Sequence, residues 1–346
     1  MNIRERIEAF WSGERPDQIP YTIYWNEWRH TAADAAWEPL YTQGLGVTWY
    51  LRTFATTYRG VERIDETHEE AGRPMRRVTW RTPVGDTHAT WEDGWNRKYF
   101  LETPADYRVL TYVAEHTEFA PRYEAYAAEA AALPPWGIAI PELWRTPLQQ
   151  MLVDFAGVEN FCWHLGEYGE EVRRLYAALL GNFRRIVDLV AAGPGRYLSN
   201  LENFTAETLG PRRFQEFLLP VYEEFFPQLH AAGKIIGCHY DGRLANCRRL
   251  IAGAPIDLIE SLTPPPEGDL TLGEARAAWP DKLFWSNLNV GCYELPAAEL
   301  RALVLRRVAE GAPDGRRLAF EVSEQYPANW KQSLPVVLAA LRETRR

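Results

Sequence analysis

Cysteine is scarce in this sequence: Cys162, Cys238, Cys247 and Cys292 are the only four in 346 residues, and no two are spaced C-x-x-C. That argues against a disulfide scaffold and against paired-thiol metal motifs, and it suits reduced thiols in a cytosolic enzyme. Long apolar runs are missing too. There is no stretch of about 18 apolar residues of the kind a membrane span needs. The opening MNIRERIEAFWSGERPDQIP mixes charged and apolar residues at helical spacing and lacks the apolar core of a signal peptide. A cytoplasmic location with no membrane partner is therefore expected. Basic stripes are absent as well, and the net charge is −9. A chain of that sign repels phosphate backbones, which removes nucleic acid from the expected partners. No GxGxxG follows the first predicted strand and no GxxxxGK[ST] occurs, so a nucleotide-binding fold has little support.

What the sequence has is apolar material in a regular order. Hydrophobic residues make up 46%, and 14 tryptophans lift the aromatics to 13%. Most of these aromatics are expected in the core. IPYTIYWN (19–26) reads as a strand, and a second is expected near 47–55. Residues 74–92 alternate around a Pro-Val-Gly turn and predict a β-hairpin. Thr103 with Pro104 and Asp106 opens a helix. From residue 137 short apolar strands (WGIAIPE, RYLSNLENF, KIIGCHYDG, PIDLIESL, KLFWSNLNV, RRLAFEVSE) alternate with helical patterns near 168–191, 211–232, 243–252, 271–279, 296–310 and from 329. That order implies parallel βαβ units. The economical architecture is a single (β/α)8 TIM-barrel domain over residues 1–346, with an N-terminal helical and β-hairpin embellishment over about 1–135.

In such a barrel the chemistry sits at the C-terminal ends of the strands. The predicted ends carry Glu202 and Asn203, then His239 and Asp241, Glu260, Asn287 and Asn289, and finally Glu321 and Glu324. Alternation puts His239 and Asp241 on one face of their strand, with Cys238 and Tyr240 on the other. A histidine and carboxylates converging from neighbouring strands suit a zinc or other divalent site. They suit general acid–base chemistry equally well. Four ionisable groups at successive strand ends are hard to explain as structure alone, because unpaired buried charge is unfavourable. Trp25, Trp28 and His30 would form an aromatic wall at the end of the first strand, with Arg29 beside them. By alternation Glu321 shares a face with Ser323, and Glu324 lies across from them unless the strand ends by residue 323.

These segments, taken together, resemble the uroporphyrinogen decarboxylase superfamily, and its corrinoid-dependent methyltransferase branch more than the decarboxylase itself. The resemblance runs through NIRERIEAFWSGERPDQIPY, RTPVGD, FLETPADYRVL and ENFTAETLGPRRFQEFLLPVYEEFFPQLHAAGK. It continues in HYDG, IESLTPPPEGDLTLGEARAAW, SNLNV and SEQYPANW. It implies a (β/α)8 barrel and a methyl-transfer reaction. Methyltransferases of this kind hold zinc with His-x-Cys on the fifth strand and a cysteine on the eighth, and related methionine synthases add a glutamate on the sixth. Carried over, the metal and catalytic positions fall on His239, Asp241, Glu260 and Glu324, with Glu321 as the alternative to Glu324. Aspartate and glutamate in place of thiolates make a harder site. A methoxy or methylamine-type substrate is then expected in place of a thiol, with metal or acid assistance to the leaving group. Trp25, Trp28, Arg29, Glu202, Asn203 and Asn287 are the expected substrate contacts. No D-x-H-x-x-G cobalamin sequence is present, so the corrinoid is expected on a partner protein. The decarboxylase grips its substrate with arginines near its N-terminus; here YWNEWRHTAADAAWEPL offers only Arg29. A lyase that acts by acid–base chemistry without corrinoid is the alternative reading.

Overall fold

Asn2 starts the fold by capping helix α1 (Ile3–Trp11). Its side chain accepts the Glu5 amide proton at 2.9 Å, and the Glu5 carboxylate accepts that of Asn2 at 2.9 Å. This reciprocal box satisfies two of the donors that a helix start leaves open. Ile3, Ile7, Phe10 and Trp11 form the buried side of α1. In the computed structural model, which describes residues 1–322 and 325–344, they pack against Ile138, Ile140, Leu258, Leu283, Trp285 and Ala319. Those six residues come from several different strands, so α1 closes the floor of the sheet they build.

The sheet contains eight parallel strands among the described residues: β1 (Tyr21–Tyr24), β2 (Leu45–Leu51), β3 (Gly137–Pro141), β4 (Tyr197–Phe204), β5 (Ile235–Tyr240), β6 (Leu258–Leu262), β7 (Leu283–Leu288) and β8 (Leu318–Val322). Their order is β4-β5-β6-β7-β8-β1-β2-β3. Just past β3, a parallel bridge joins Glu142 to Ser199 of β4, and the Leu143 amide donates to the Ser199 carbonyl at 2.8 Å. That link closes a (β/α)8 barrel. Strands β6, β7 and β8 are buried at every described position, as parallel strands covered on both faces must be.

β1 and β2 are shifted from the expected 19–26 and 47–55. β1 stops at Tyr24, and WNEWRHT (Trp25–Thr31) turns at once into helix α2. Glu27 in its first turn and Arg29 and His30 in its last complement the helix dipole.

The chain folds as two compact units. The barrel unit comprises residues 1–53, 123–144 and 194–346. The other comprises residues 54–122 and 145–193. It contains a four-stranded antiparallel sheet in the order Glu62–Glu70, Arg73–Thr82, Gly85–Glu92 and Trp95–Lys98. The second and third of these strands are the expected hairpin. The turns at Ala71–Gly72 and Asp93–Gly94 both have positive φ, the geometry of tight hairpin turns. Asp65 pairs with Arg76 at 2.7 Å, and Arg73 pairs with Glu92. Among the described residues no helix is long and apolar enough to cross a membrane.

Two barrel glycines are there for close approach. A Cβ on Gly46 would lie 2.7 Å from Ile3 Cγ1, and one on Gly237 would lie 2.9 Å from both Leu258 Cδ2 and Trp11 Cη2. These gaps admit α1 to the barrel floor. Gly46→Ala is therefore expected to lower the unfolding free energy by about 1–3 kcal/mol through overpacking, as read by urea denaturation. Gly181→Ala is the contrast, because nothing lies within 4 Å of its added methyl group in helix Gly169–Ala192. There a gain of about 0.5–1 kcal/mol is expected.

Candidate active site

At the C-terminal end of the barrel the inner faces of the strands turn from apolar to polar. Parallel pairing aligns His239 with Glu260 across β5 and β6, and Asn287 with Glu321 across β7 and β8. On its other side Glu260 is in register with Trp285, whose indole N–H donates to Thr22 Oγ1 at 3.0 Å. The polar layer thus rests on the aromatic floor. Glu260 and Glu321 are 2% and 0% exposed.

The two carboxylates have unequal surroundings. Glu260 Oε1 accepts from the Tyr50 hydroxyl, and Oε2 accepts from Ser199 Oγ at 3.0 Å. His239 Nδ1 faces Oε1 at 3.9 Å. Glu321 Oε1 accepts from the Tyr24 hydroxyl at 2.8 Å, while Oε2 is buried without a side-chain partner among the described residues. The Tyr24 hydroxyl also lies 3.5 Å from Glu260 Oε1. It has a single proton, and the shorter geometry gives that proton to Glu321. One phenol therefore stands between two acids.

Electrostatics follows the count of donors. Burial raises the Glu260 pKa, but His239, Tyr50 and Ser199 together outweigh it and hold the group below the usual carboxylate value. Glu321 is driven well above that value, first by burial and then by the neighbouring Glu260 charge, against weaker help from Tyr24 and the Ser261 backbone. The surroundings thus push the two groups apart, Glu260 toward the carboxylate and Glu321 toward the carboxylic acid. Tyr24 and Tyr50 are pushed well above their ordinary value by burial and by both acids, so they stay protonated and act as donors.

The strand carrying Glu260 is irregular just after it. Ser261 has φ +63°, and the β6–β7 register slips between Glu260 and Leu262. A left-handed serine costs about 1–3 kcal/mol. Asn287 steadies the bend, since its Nδ2 donates to Ser261 Oγ at 2.7 Å and to Thr263 Oγ1 at 3.2 Å. Asn289, next on that side, donates to the Pro264 carbonyl at 3.2 Å.

Of the residues singled out in the sequence, His239, Glu260 and Glu321 come together. Asp241 lies one residue beyond β5, half-buried, with its amide bonded to the Phe204 carbonyl at 3.1 Å. Glu324 lies outside the described residues. Glu202 belongs to a different cluster: fully buried, it accepts from Asn200 Nδ2 at 2.7 Å and from the Tyr222 hydroxyl at 3.1 Å. Asn200 also reaches Cys238 Sγ, and Tyr240 bonds Tyr222. This is the outward face of β4 and β5, opposite Ser199 and His239. Asn203 is half-buried with φ +52°, at a register irregularity of β4. Trp25 lies under the Arg29 guanidinium at 4.1 Å, and the Trp28 ring packs on Trp49 at 4.8 Å. Trp25, Trp28 and Arg29 all belong to α2, so the inward side chain at the end of β1 is Tyr24. Sequence reading missed Tyr24, Tyr50 and Ser199. Alternation from the polar strand ends was the signal that could have found them.

A metal ion has incomplete support from these residues. Among the described residues no three His, Cys, Asp or Glu side chains gather as a metal would require. Both Glu260 oxygens already accept hydroxyl protons. The remaining candidate donors are His239 and Asp241, with Glu324 outside the described residues.

The charge assignment has a stability consequence. Glu321 keeps its proton in the folded state but loses it on unfolding above about pH 4.3. The folded state then binds more protons, so this group makes stability fall as pH rises. Glu321→Gln keeps the shape without the titration. Its stability relative to the parent protein is expected to increase as pH rises above about 4.3, as read by urea unfolding at each pH. The infrared band of a buried, protonated carboxyl group should disappear in the same variant.

No protein-family model and no curated protein matches the chain. Among solved structures it is similar to a methyltransferase from Methanosarcina mazei, with a TM-score of 0.58 over 99% of each chain at 9% sequence identity. At that identity the likeness is one of fold, and the fold is the (β/α)8 barrel.

Proposed function

We propose that this chain is a methyltransferase that demethylates a small methoxy or methylamine-type substrate and passes the methyl group to a corrinoid carried by a partner protein. The observation that carries the reading is the pair of buried carboxyl groups at the barrel mouth, with Tyr24 between them and unequal hydrogen bonding that lowers the pKa of one and leaves that of the other raised. Two acids driven apart in this way make an acid and a base available in one site. The barrel similarity to a methyltransferase and the sequence resemblance both support the reaction class.

The corrinoid would supply the nucleophile that takes the methyl group. Glu321, as the carboxylic acid, protonates the departing heteroatom. Glu260, held ionised by Tyr50, Ser199 and His239, keeps Glu321 protonated between turnovers through its charge. The closed floor of aromatic side chains excludes water from beneath and strengthens both effects. Zinc or another divalent ion on His239 and Asp241, with Glu324, would supply Lewis-acid activation of the same heteroatom. The hydroxyl donors already on Glu260 favour the acid-assisted form. Acid–base lyase chemistry would draw on the same pair without corrinoid.

The test is methyl transfer to free cob(I)alamin, followed by its absorbance change, with methyl ethers and methylamines as donors. Methylation is expected with the wild-type protein, falling about 10²–10⁴-fold in Glu321→Gln. The metal content of the same preparations, compared with His239→Ala/Asp241→Ala, separates the two forms of assistance. One equivalent of metal, lost in the double variant together with activity, would favour the Lewis-acid form. Donor consumption with cobalamin left unmethylated would replace the proposal by the lyase.

A further inference from the structure

Outside the carboxylate cluster, and independent of the reaction read there, we infer that Cys292 is a modification site, a thiol set against the Arg307 guanidinium so that it reacts with hydroperoxides to form a sulfenic acid. Cys292 sits in the short 3-10 helix that follows β7 (Val290–Glu294), where it is half-buried and so open to a small reagent. Arg307, on the helix Ala297–Gly311, is 4% exposed. Its Nη2 donates to Asn289 Oδ1 at 2.7 Å and to Cys292 Sγ at 3.7 Å. No carboxylate among the described residues pairs with it, and its Nη1 is buried without an acceptor among them. An arginine that serves only to tie loops together places its N–H groups on carbonyl oxygens. Arg276 does this, donating to the carbonyls of Gly311, Lys282 and Arg317 at 2.9, 2.6 and 2.8 Å. Arg307 instead is a buried cation with an open donor, which is unfavourable until negative charge and an acceptor are supplied.

The Cys292 sulfur is the group placed to supply both. A guanidinium stays charged, and beside such a cation a thiolate, the form in which cysteine is a nucleophile, is stabilised. Burial lowers the Arg307 pKa, and the neighbouring sulfur works against that shift. In the step, the thiol gives its proton to solvent and a sulfur electron pair attacks one oxygen of the hydroperoxide. The sulfur–oxygen bond forms as the oxygen–oxygen bond breaks. The sulfur is oxidised by two electrons to the sulfenic acid, and the peroxide is reduced by the same two. The departing oxygen leaves as hydroxide or alkoxide and takes up a proton from solvent. Nη1, on the same rigid fork as the donor that holds the sulfur, is a free N–H for the oxygen left on it. The other three cysteines lack this setting. Cys238 and Cys247 are buried, and Cys162 is exposed on the helix Val158–Glu167, flanked in sequence by Glu159 and Glu167, with no arginine on its sulfur among the described residues.

The test treats the full chain with hydrogen peroxide at neutral pH in the presence of dimedone, which traps sulfenic acids, and locates the labelled cysteines by peptide mass spectrometry over time. Exposure alone would make Cys162 react first. Cys292 is expected to be labelled roughly tenfold faster than Cys162. Arg307→Met, which keeps the length of the side chain and suits a buried position, should bring Cys292 down to the rate of Cys162. Arg307→Lys, which restores the charge, should recover a good part of the difference, as a purely structural role for Arg307 would not require. A second comparison needs no variant. Iodoacetate, an anion, is measured against neutral iodoacetamide in the wild-type protein, and its relative rate should be higher at Cys292 than at Cys162 and fall with added salt. Labelling of Cys162 as fast as Cys292 would overturn the inference. So would fast labelling of Cys292 that Arg307→Met leaves unchanged, or an iodoacetate preference no greater at Cys292 than at Cys162.

Discussion

Two carboxyl groups buried side by side cannot both be ionised at modest cost, and much of this barrel mouth is arranged around that fact. At low effective dielectric, like charges a few ångströms apart repel strongly, and each is also deprived of water. The protein resolves the conflict by unequal hydrogen bonding. Glu260 receives Tyr50 and Ser199 and faces His239. Glu321 receives Tyr24 and remains in the field of its neighbour. The same residue type thus becomes a base in one place and an acid in the other, and strand position alone decides which.

This asymmetry depends on dryness, and dryness depends on the other end of the barrel. Phe10 and Trp11 of α1 meet Trp285 edge-on, at ring separations of 5.6 and 5.9 Å, and Trp285 sits in register directly beside Glu260. Burial is the largest single influence on both acids. A looser floor that admitted water would weaken it and let the two pKa values drift back together. Gly46 and Gly237, which make room for α1, therefore bear on the chemistry although they touch none of it.

The barrel was legible in the sequence because parallel strands buried on both faces leave apolar runs, each followed by a helical pattern. The site was legible only in part. His239, Glu260 and Glu321 announce themselves as ionisable residues at the ends of such runs. Tyr24 and Tyr50 do not, because a tyrosine near a strand end looks like core until its hydroxyl is seen to have a carboxylate partner. Glu202 misled for a related reason. A bulge near Asn203 and plain alternation put it on the outward face, where Asn200 and Tyr222 satisfy it. Trp25, Trp28 and Arg29 follow an apolar run that reads as strand, but the chain turns into helix α2 directly after Tyr24. Glu321, the alternative to Glu324 in the sequence, is the one whose carboxylate meets Tyr24, while Glu324 lies outside the described residues.

The His-x-Asp ending of β5 has a physical role for its first member. His239 pairs in register with Glu260, and its ring is a leading influence holding that carboxylate ionised. Burial first, and the Glu260 charge second, then raise the Glu321 pKa. The β5 imidazole, the β6 carboxylate and the β8 acid are thus coupled along neighbouring strands, each biasing the protonation of the group beside it. Cys238 and Tyr240 flank His239 on the outward face, tied to Asn200 and Tyr222, so the strand that presents the imidazole is anchored from behind. A histidine placed to tune a carboxylate needs that anchoring, because the 3.9 Å separation leaves little slack before the interaction weakens.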